Sequence, residues 1–123
     1  MTSAASTPST PDPDGPDWVG WWRVRRYGGA RPDRPTYYEA TPEHWDVIKA
    51  EAEGVYVARH PILSVEGATI HLKDEGEPDE HAERWVAEVE DGRLRVAAAT
   101  GPHEGVVGVA ERIDTDPRVL ASS

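Results

Sequence analysis

The segment RWVAEVEDGRLRVAAA, residues 84–99, constrains this chain more than any other. Asp-Gly between two alternating apolar runs is a strong hairpin signal, because both residues suit the tight turn whose twist matches paired strands. A two-residue turn at Asp91-Gly92 fixes the register. Glu90 then faces Arg93, Val89 faces Leu94, Glu88 faces Arg95 and Ala87 faces Val96. Charge pairs fall on one face and apolar pairs on the other, as a correct register requires. A helical stripe through Ala82, Trp85, Val86 and Val89, with Glu80 and Arg84 four residues apart, competes for residues 79–90. The hairpin is preferred because it satisfies both charge pairs at once.

Other strands are expected around it. On a two-residue period Trp18, Trp22 and Val24 share one face with Gly20 and Arg26, while Val19, Trp21, Arg23, Arg25 and Tyr27 share the other. Gly28-Gly29, Pro32 and Pro35 form a loop before a short strand at 36–40. VYVARH ends at Pro61, ILSV and ATIHLK flank a tight connection at Glu66-Gly67, and GVVGVAERI, residues 105–113, is the last strand. A helix is expected over 42–53. Thr41 suits its N-cap, Pro42 its first position and Gly54 its C-terminal stop, and Trp45, Ile48 and Ala52 form one stripe. These elements predict an α+β fold over residues 17–116, with one helix packed on a curled, mostly antiparallel sheet as a roll or half-open barrel. Residues 1–16, MTSAASTPSTPDPDGP, hold too little apolar surface to offset ordering and are expected to be a disordered tail. Residues 117–123 are expected to fray.

Composition excludes several chemistries. The absence of Cys removes disulfides, zinc–thiolate sites, iron–sulfur clusters and cysteine nucleophiles. The chain shows no basic start followed by an apolar run and no stretch long enough to span a bilayer, so a soluble cytoplasmic protein without membrane contact is expected. The net charge of −10 is uneven: residues 17–38 carry +3, residues 1–16 carry −2 and residues 39–123 carry −11. Such acidity disfavours phosphate backbones, and nucleic acid is an unfavoured partner.

The local anomaly is an aromatic–arginine face. Trp21, Arg23, Arg25 and Tyr27 would stand in a row, with Arg34, Tyr37 and Tyr38 beside them. Trp, Tyr and Arg are enriched at interface hot spots. The face therefore predicts a binding protein without catalysis of its own. Its partner would be another protein, a second copy included, or a small acidic ligand. A self-contained alternative has these Arg heads meeting the acids of residues 74–83 in the same molecule. A different class of function is a roll or barrel enzyme with acid–base groups, His60 and His71, in a pocket between helix and sheet. Single-stranded nucleic-acid binding through stacked aromatics is a third. The spacing of the five His residues supports no metal site, the acidic run lacks a calcium-loop pattern, and no cofactor is expected.

Overall fold

In the computed structural model, which describes residues 16–122, the Asp91-Gly92 turn forms as its pattern requires. Both residues take positive φ, 53° and 76°. It joins β6 (Glu83–Glu90) to β7 (Arg93–Ala98) in the expected register, from Glu90 opposite Arg93 to Ala87 opposite Val96. The competing helix over 79–90 reduces to one 3₁₀ turn at Asp79–His81.

Six more strands complete the sheet: β1 (Gly20–Tyr27), β2 (Thr36–Ala40), β3 (His44–Glu51), β4 (Gly54–Glu66), β5 (Thr69–Leu72) and β8 (Val107–Ile113). Each pairs antiparallel with the next, and β8 returns to pair with β1, closing an eight-stranded barrel. The expected α+β roll is therefore wrong. The described residues form an all-β barrel with one short α-helix, α1 (Pro117–Ser122), on its outside.

The error lies at residues 42–53. Thr41, Pro42 and Glu43 look like a helix start but form the β2–β3 turn. The Thr41 hydroxyl accepts hydrogen bonds from the N–H groups of Glu43 (3.2 Å) and His44 (3.1 Å), and the Thr41 N–H donates to the His44 carbonyl. Thr can satisfy the same donors at a turn as at a helix N-terminus, so local chemistry does not separate the two. The apolar pattern misleads as well. Trp45 and Val47 face the barrel interior, whereas Ile48 packs outside with Tyr37 and Ala121 of α1. A strand buried on both faces loses the simple alternation.

The true N-cap motif lies at the end expected to fray. Asp116 accepts from the Arg118 N–H (2.9 Å), and Pro117 occupies the first helical position. Six residues cannot hold a helix alone. Here Pro117 and Ala121 are buried, and Arg118 binds Glu39 and Asp46.

β4 runs through Pro61 rather than stopping there. Pro61 tolerates this because it lies opposite His44 without needing an N–H, and its carbonyl accepts from Lys73 (3.2 Å). The N-terminal residues 1–15 lie outside the described part of the chain.

Up-and-down connection gives the barrel two unlike ends. The β2–β3, β4–β5 and β6–β7 turns and the start of β1 share one end, which Trp18 and Trp22 plug. Trp22 is fully buried, its indole donates to the Trp18 carbonyl (2.9 Å), and Trp18 packs on Trp45 with centroids 5.6 Å apart. Arg112 lies over the Trp22 ring at 4.1 Å and donates to the carbonyls of Val19 and Asp17. A guanidinium on an indole face with its donors satisfied can close an apolar core.

Candidate functional site

The other end is open. The β1–β2, β5–β6 and β7–β8 connections surround a cavity of about 590 Å³ inside the barrel, within the usual range for small-molecule sites. Its wall is apolar, built by inward positions of four strands: Val47, Ile70, Leu72, Trp85, Ala87 and Val96. Tyr38 and Trp45 lie deeper, in edge-to-face contact at 5.3 Å.

A β-bulge brings Tyr27 to this cavity. Along β1 the pairing with β8 runs from Trp21 opposite Ile113 to Val24 opposite Ala110, then skips Arg25 and resumes with Arg26 opposite Val109. One extra residue reverses the side-chain parity of the positions beyond it. Tyr27, expected on the outer face with Trp21, therefore lines the mouth opposite Gly108. Gly108 leaves the room: a Cβ there would lie 3.0 Å from Val96, and 3.3 Å from both Tyr27 and the Tyr38 hydroxyl.

Of the two phenols, Tyr38 is buried in the barrel and Tyr27 is 41% exposed at its mouth. Burial pushes the Tyr38 pKa well above its ordinary value, with Tyr27 adding to it. Burial and the negative charge of Glu83 raise that of Tyr27. Among the described residues the Tyr38 hydroxyl has no hydrogen-bond partner although only 5% of the residue is exposed. The hydroxyl borders the cavity and is not sealed from it, so it can bond a polar group that enters. The sealed polar atoms without a partner among the described residues are the indole nitrogens of Trp18 and Trp21.

The rim is made of carboxylates and imidazoles in pairs. His60 lies 3.3 Å from Asp74, His81 lies 2.8 Å from Glu77, and His103 lies 3.3 Å from Glu83. Glu83 also accepts from the Trp85 indole (3.3 Å). Gly101, at φ +91°, lets the β7–β8 loop lie on Glu83, since a Cβ would come within 2.6 Å of that side chain. The rim's one lysine, Lys73, pairs with Asp79 at 3.0 Å.

The residues expected to form one aromatic–arginine face are dispersed. Trp21 is half-buried on the outer wall. Arg23 is exposed, and Arg25 pairs with Glu111 on β8 (2.7 Å) rather than with residues 74–83. Arg34 is exposed in the β1–β2 loop, Tyr37 lies beneath α1, Tyr38 is inside the barrel and Tyr27 is at its mouth. Of the two expected acid–base residues, His60 reaches the cavity, its Nδ1 donating to the Trp45 carbonyl (3.0 Å). His71 stands on β5 between the inward Ile70 and Leu72, opposite Arg84, and does not line it. The pocket expected between helix and sheet lies within the barrel instead. The inward placement of Trp85 and Ala87 follows from the hairpin register, but nothing local in the sequence signals Glu83 and His103.

A second cluster lies outside the barrel. Ligand atoms of Glu39, His44 and Asp46 come within 4.8 Å of one another, a spacing that could suit a metal ion. The fully buried Asp46 carboxylate, however, already accepts from Arg59 Nε and Nη2 and from Arg118 Nη2, each at 3.0 Å. Two guanidinium charges on those oxygens make the site an ion-pair hub that ties α1 to the wall, and they oppose a cation.

No protein-family model and no curated protein sequence matches the chain. Among solved structures it is similar to a lipocalin-like protein from Bacteroides uniformis ATCC 8492, at a TM-score of 0.57 and 18% identity. The match covers 80% of this chain and all of that one. The fold is a lipocalin-like barrel. No helix among the described residues is long and apolar enough to cross a membrane.

Proposed function

We propose that this protein binds a small apolar molecule, neutral or positively charged, inside the barrel. The observation that carries the reading is the mouth cavity, with an apolar wall and an unpaired phenol, Tyr38, in its depth. An apolar enclosure supplies affinity by area, and a few fixed polar groups supply orientation. Charge at the rim supports the ligand class. Asp74, Glu77, Glu80 and Glu83 surround the entrance, and the Lys73 ammonium is held by Asp79. A carboxylate ligand would meet four like charges, whereas an ammonium would meet Glu83 and the faces of Trp85 and Tyr27. An acidic ligand of the kind expected for the aromatic–arginine face has no complement here.

A matched series tests the reading: decyltrimethylammonium, decanol and decanoate, all below micellar concentrations and followed by tryptophan fluorescence. Saturable binding is expected in the order cation, alcohol, anion. Glu83→Gln should narrow the gap between cation and alcohol. Tyr38→Phe should weaken the alcohol by roughly fivefold, the worth of about 1 kcal/mol for a neutral hydrogen bond. Tightest binding of decanoate, or no saturable binding by any of the three, would refute it.

A further inference from the structure

The tip of the β3–β4 hairpin carries an open sheet edge. β3 pairs with β4 from Gly54 to Pro61, but β5 pairs with it only between Ile62 and Glu66. Between those limits the carbonyls of Arg59 and Pro61 accept from the N–H groups of Glu75 and Lys73, while the Ile62 N–H turns the other way, to Glu43. Odd-numbered positions in this half of β4 therefore direct their backbone groups away from β3. By that alternation Val55 and Val57 offer both N–H and C=O to the open side, and among the described residues nothing pairs with them there.

The side chains are as unusual as the backbone. Val55, Tyr56 and Val57 are exposed in succession, at 37%, 54% and 41%, where a strand on a barrel wall would alternate. Gly54 to Ala58 carries no charge and is bracketed by Glu53 and Arg59. Edges in soluble proteins are normally blunted by charge, proline or a covering segment. Gly54 to Ala58 holds neither a charge nor a proline, and among the described residues no strand pairs with this edge.

We propose that this edge pairs with the same edge of a second copy of the chain, antiparallel about a two-fold axis at Tyr56. The occupant follows from self-complementarity. In that register Val55 of one copy lies opposite Val57 of the other, and because both are outward-bonding positions each pair exchanges two backbone hydrogen bonds. Gly54 lies opposite Ala58, so the five uncharged residues of each copy overlap in full. Moving the axis to Val55 or Val57 also preserves bonding parity, but it shortens the uncharged overlap. Tyr56 meets its own copy in a non-hydrogen-bonded pair, the closer kind, with Cβ atoms about 5 Å apart.

The full-length protein should show a concentration-dependent doubling of mass by sedimentation equilibrium, in salt high enough to screen its net charge of −10. Val57→Pro removes an N–H that the monomer does not use, at the same parity as the natural Pro61, and should return the protein to monomer with its circular dichroism unchanged. Tyr56→Glu sets like charges face to face and should do the same. Register is read by cross-linking, since the chain has no cysteine of its own. Oxidised Tyr56→Cys should run as a covalent dimer, and Val55→Cys and Val57→Cys should not. A wild-type protein that stays monomeric at millimolar concentration, a dimer that survives both Val57→Pro and Tyr56→Glu, or cross-linking strongest through Val55→Cys would each overturn the proposal.

Discussion

Replacing Asp46 with Asn should destabilise the barrel by about 2–3 kcal/mol while leaving ligand binding intact. The carboxylate is fully buried and accepts three charge-assisted hydrogen bonds at 3.0 Å, two from Arg59 and one from Arg118. A single hydrogen bond to a charged group contributes about 1.5–3 kcal/mol, and breaking a buried ion pair costs about 3–5 kcal/mol when the survivor stays dry. These survivors do not stay dry. The Arg59 and Arg118 side chains are 43% and 39% exposed and can rehydrate, so the cost falls below the buried limit. Asn retains one acceptor but turns an amide N–H toward a guanidinium, which prevents full recovery. Urea unfolding followed by tryptophan fluorescence measures the loss. A stability change of that size corresponds to a melting shift of about 10 °C for a domain near 100 residues. α1 should loosen first, since Arg118 bridges the helix to both Asp46 and Glu39, and native-state trypsin cleavage at Arg118 should accelerate. Asp46 faces away from the cavity, so affinity for a bound alcohol should not move. A variant within about 0.5 kcal/mol of the wild type would show that water replaces these contacts at no net cost and that the hub does not hold the helix.

Two further outcomes concern the cavity. Ala87→Leu projects a larger side chain into the void from the β6 wall and should weaken ligand binding at least tenfold by fluorescence titration. It should cost under about 1 kcal/mol, because the added atoms enter empty space instead of overpacking a filled core. Alkaline stability should depend on Tyr38, whose pKa burial raises. An unfolded phenol ionises near pH ~10 while the folded one stays neutral, so Tyr38's contribution is complete below that pH and is lost above it, by about 1.4 kcal/mol per pH unit. Tyr38→Phe should flatten the fall in unfolding free energy between about pH 9 and about pH 11.

How much of the fold and its site was legible in the sequence depended on whether the decisive interactions were local. The β6–β7 hairpin could be read because turn residues, charge pairs and apolar pairs lie within a few positions and agree. The strand at Thr36–Ala40 was bounded by prolines and a polar turn and was also readable. β3 was not, because its outer face is buried by a helix nearly seventy residues away, so Ile48 appears to break an alternation it in fact obeys. The aromatic–arginine strand was half legible. Trp22 and Val24 are core as their period implies, but no local signal marks the bulge at Arg25 that sends Tyr27 inward. Closure of the barrel depends on β1 meeting β8, a contact between chain ends that no window of sequence contains.

The cavity is written into side-chain size along the strands that enclose it. From the plugged end toward the mouth, inward positions of β7 pass from Leu94 to Val96 to Ala98, and those of β8 from Arg112 to Ala110 to Gly108. Two neighbouring strands thus taper in the same direction, and the space they vacate lies above a base filled by Trp18, Trp22 and Trp45. Close-packed interiors do not leave several hundred cubic ångströms empty by default, since every unfilled contact forfeits dispersion energy. The bulge that turns Tyr27 inward supplies a ring over the widest part of that taper, and Gly108 supplies the clearance it needs. The bulge, the taper and the unfilled space in this barrel therefore all fall on the mouth side. The proposed binding site would draw on that distribution, with a rigid base at the tryptophan plug and an acidic rim at its entrance.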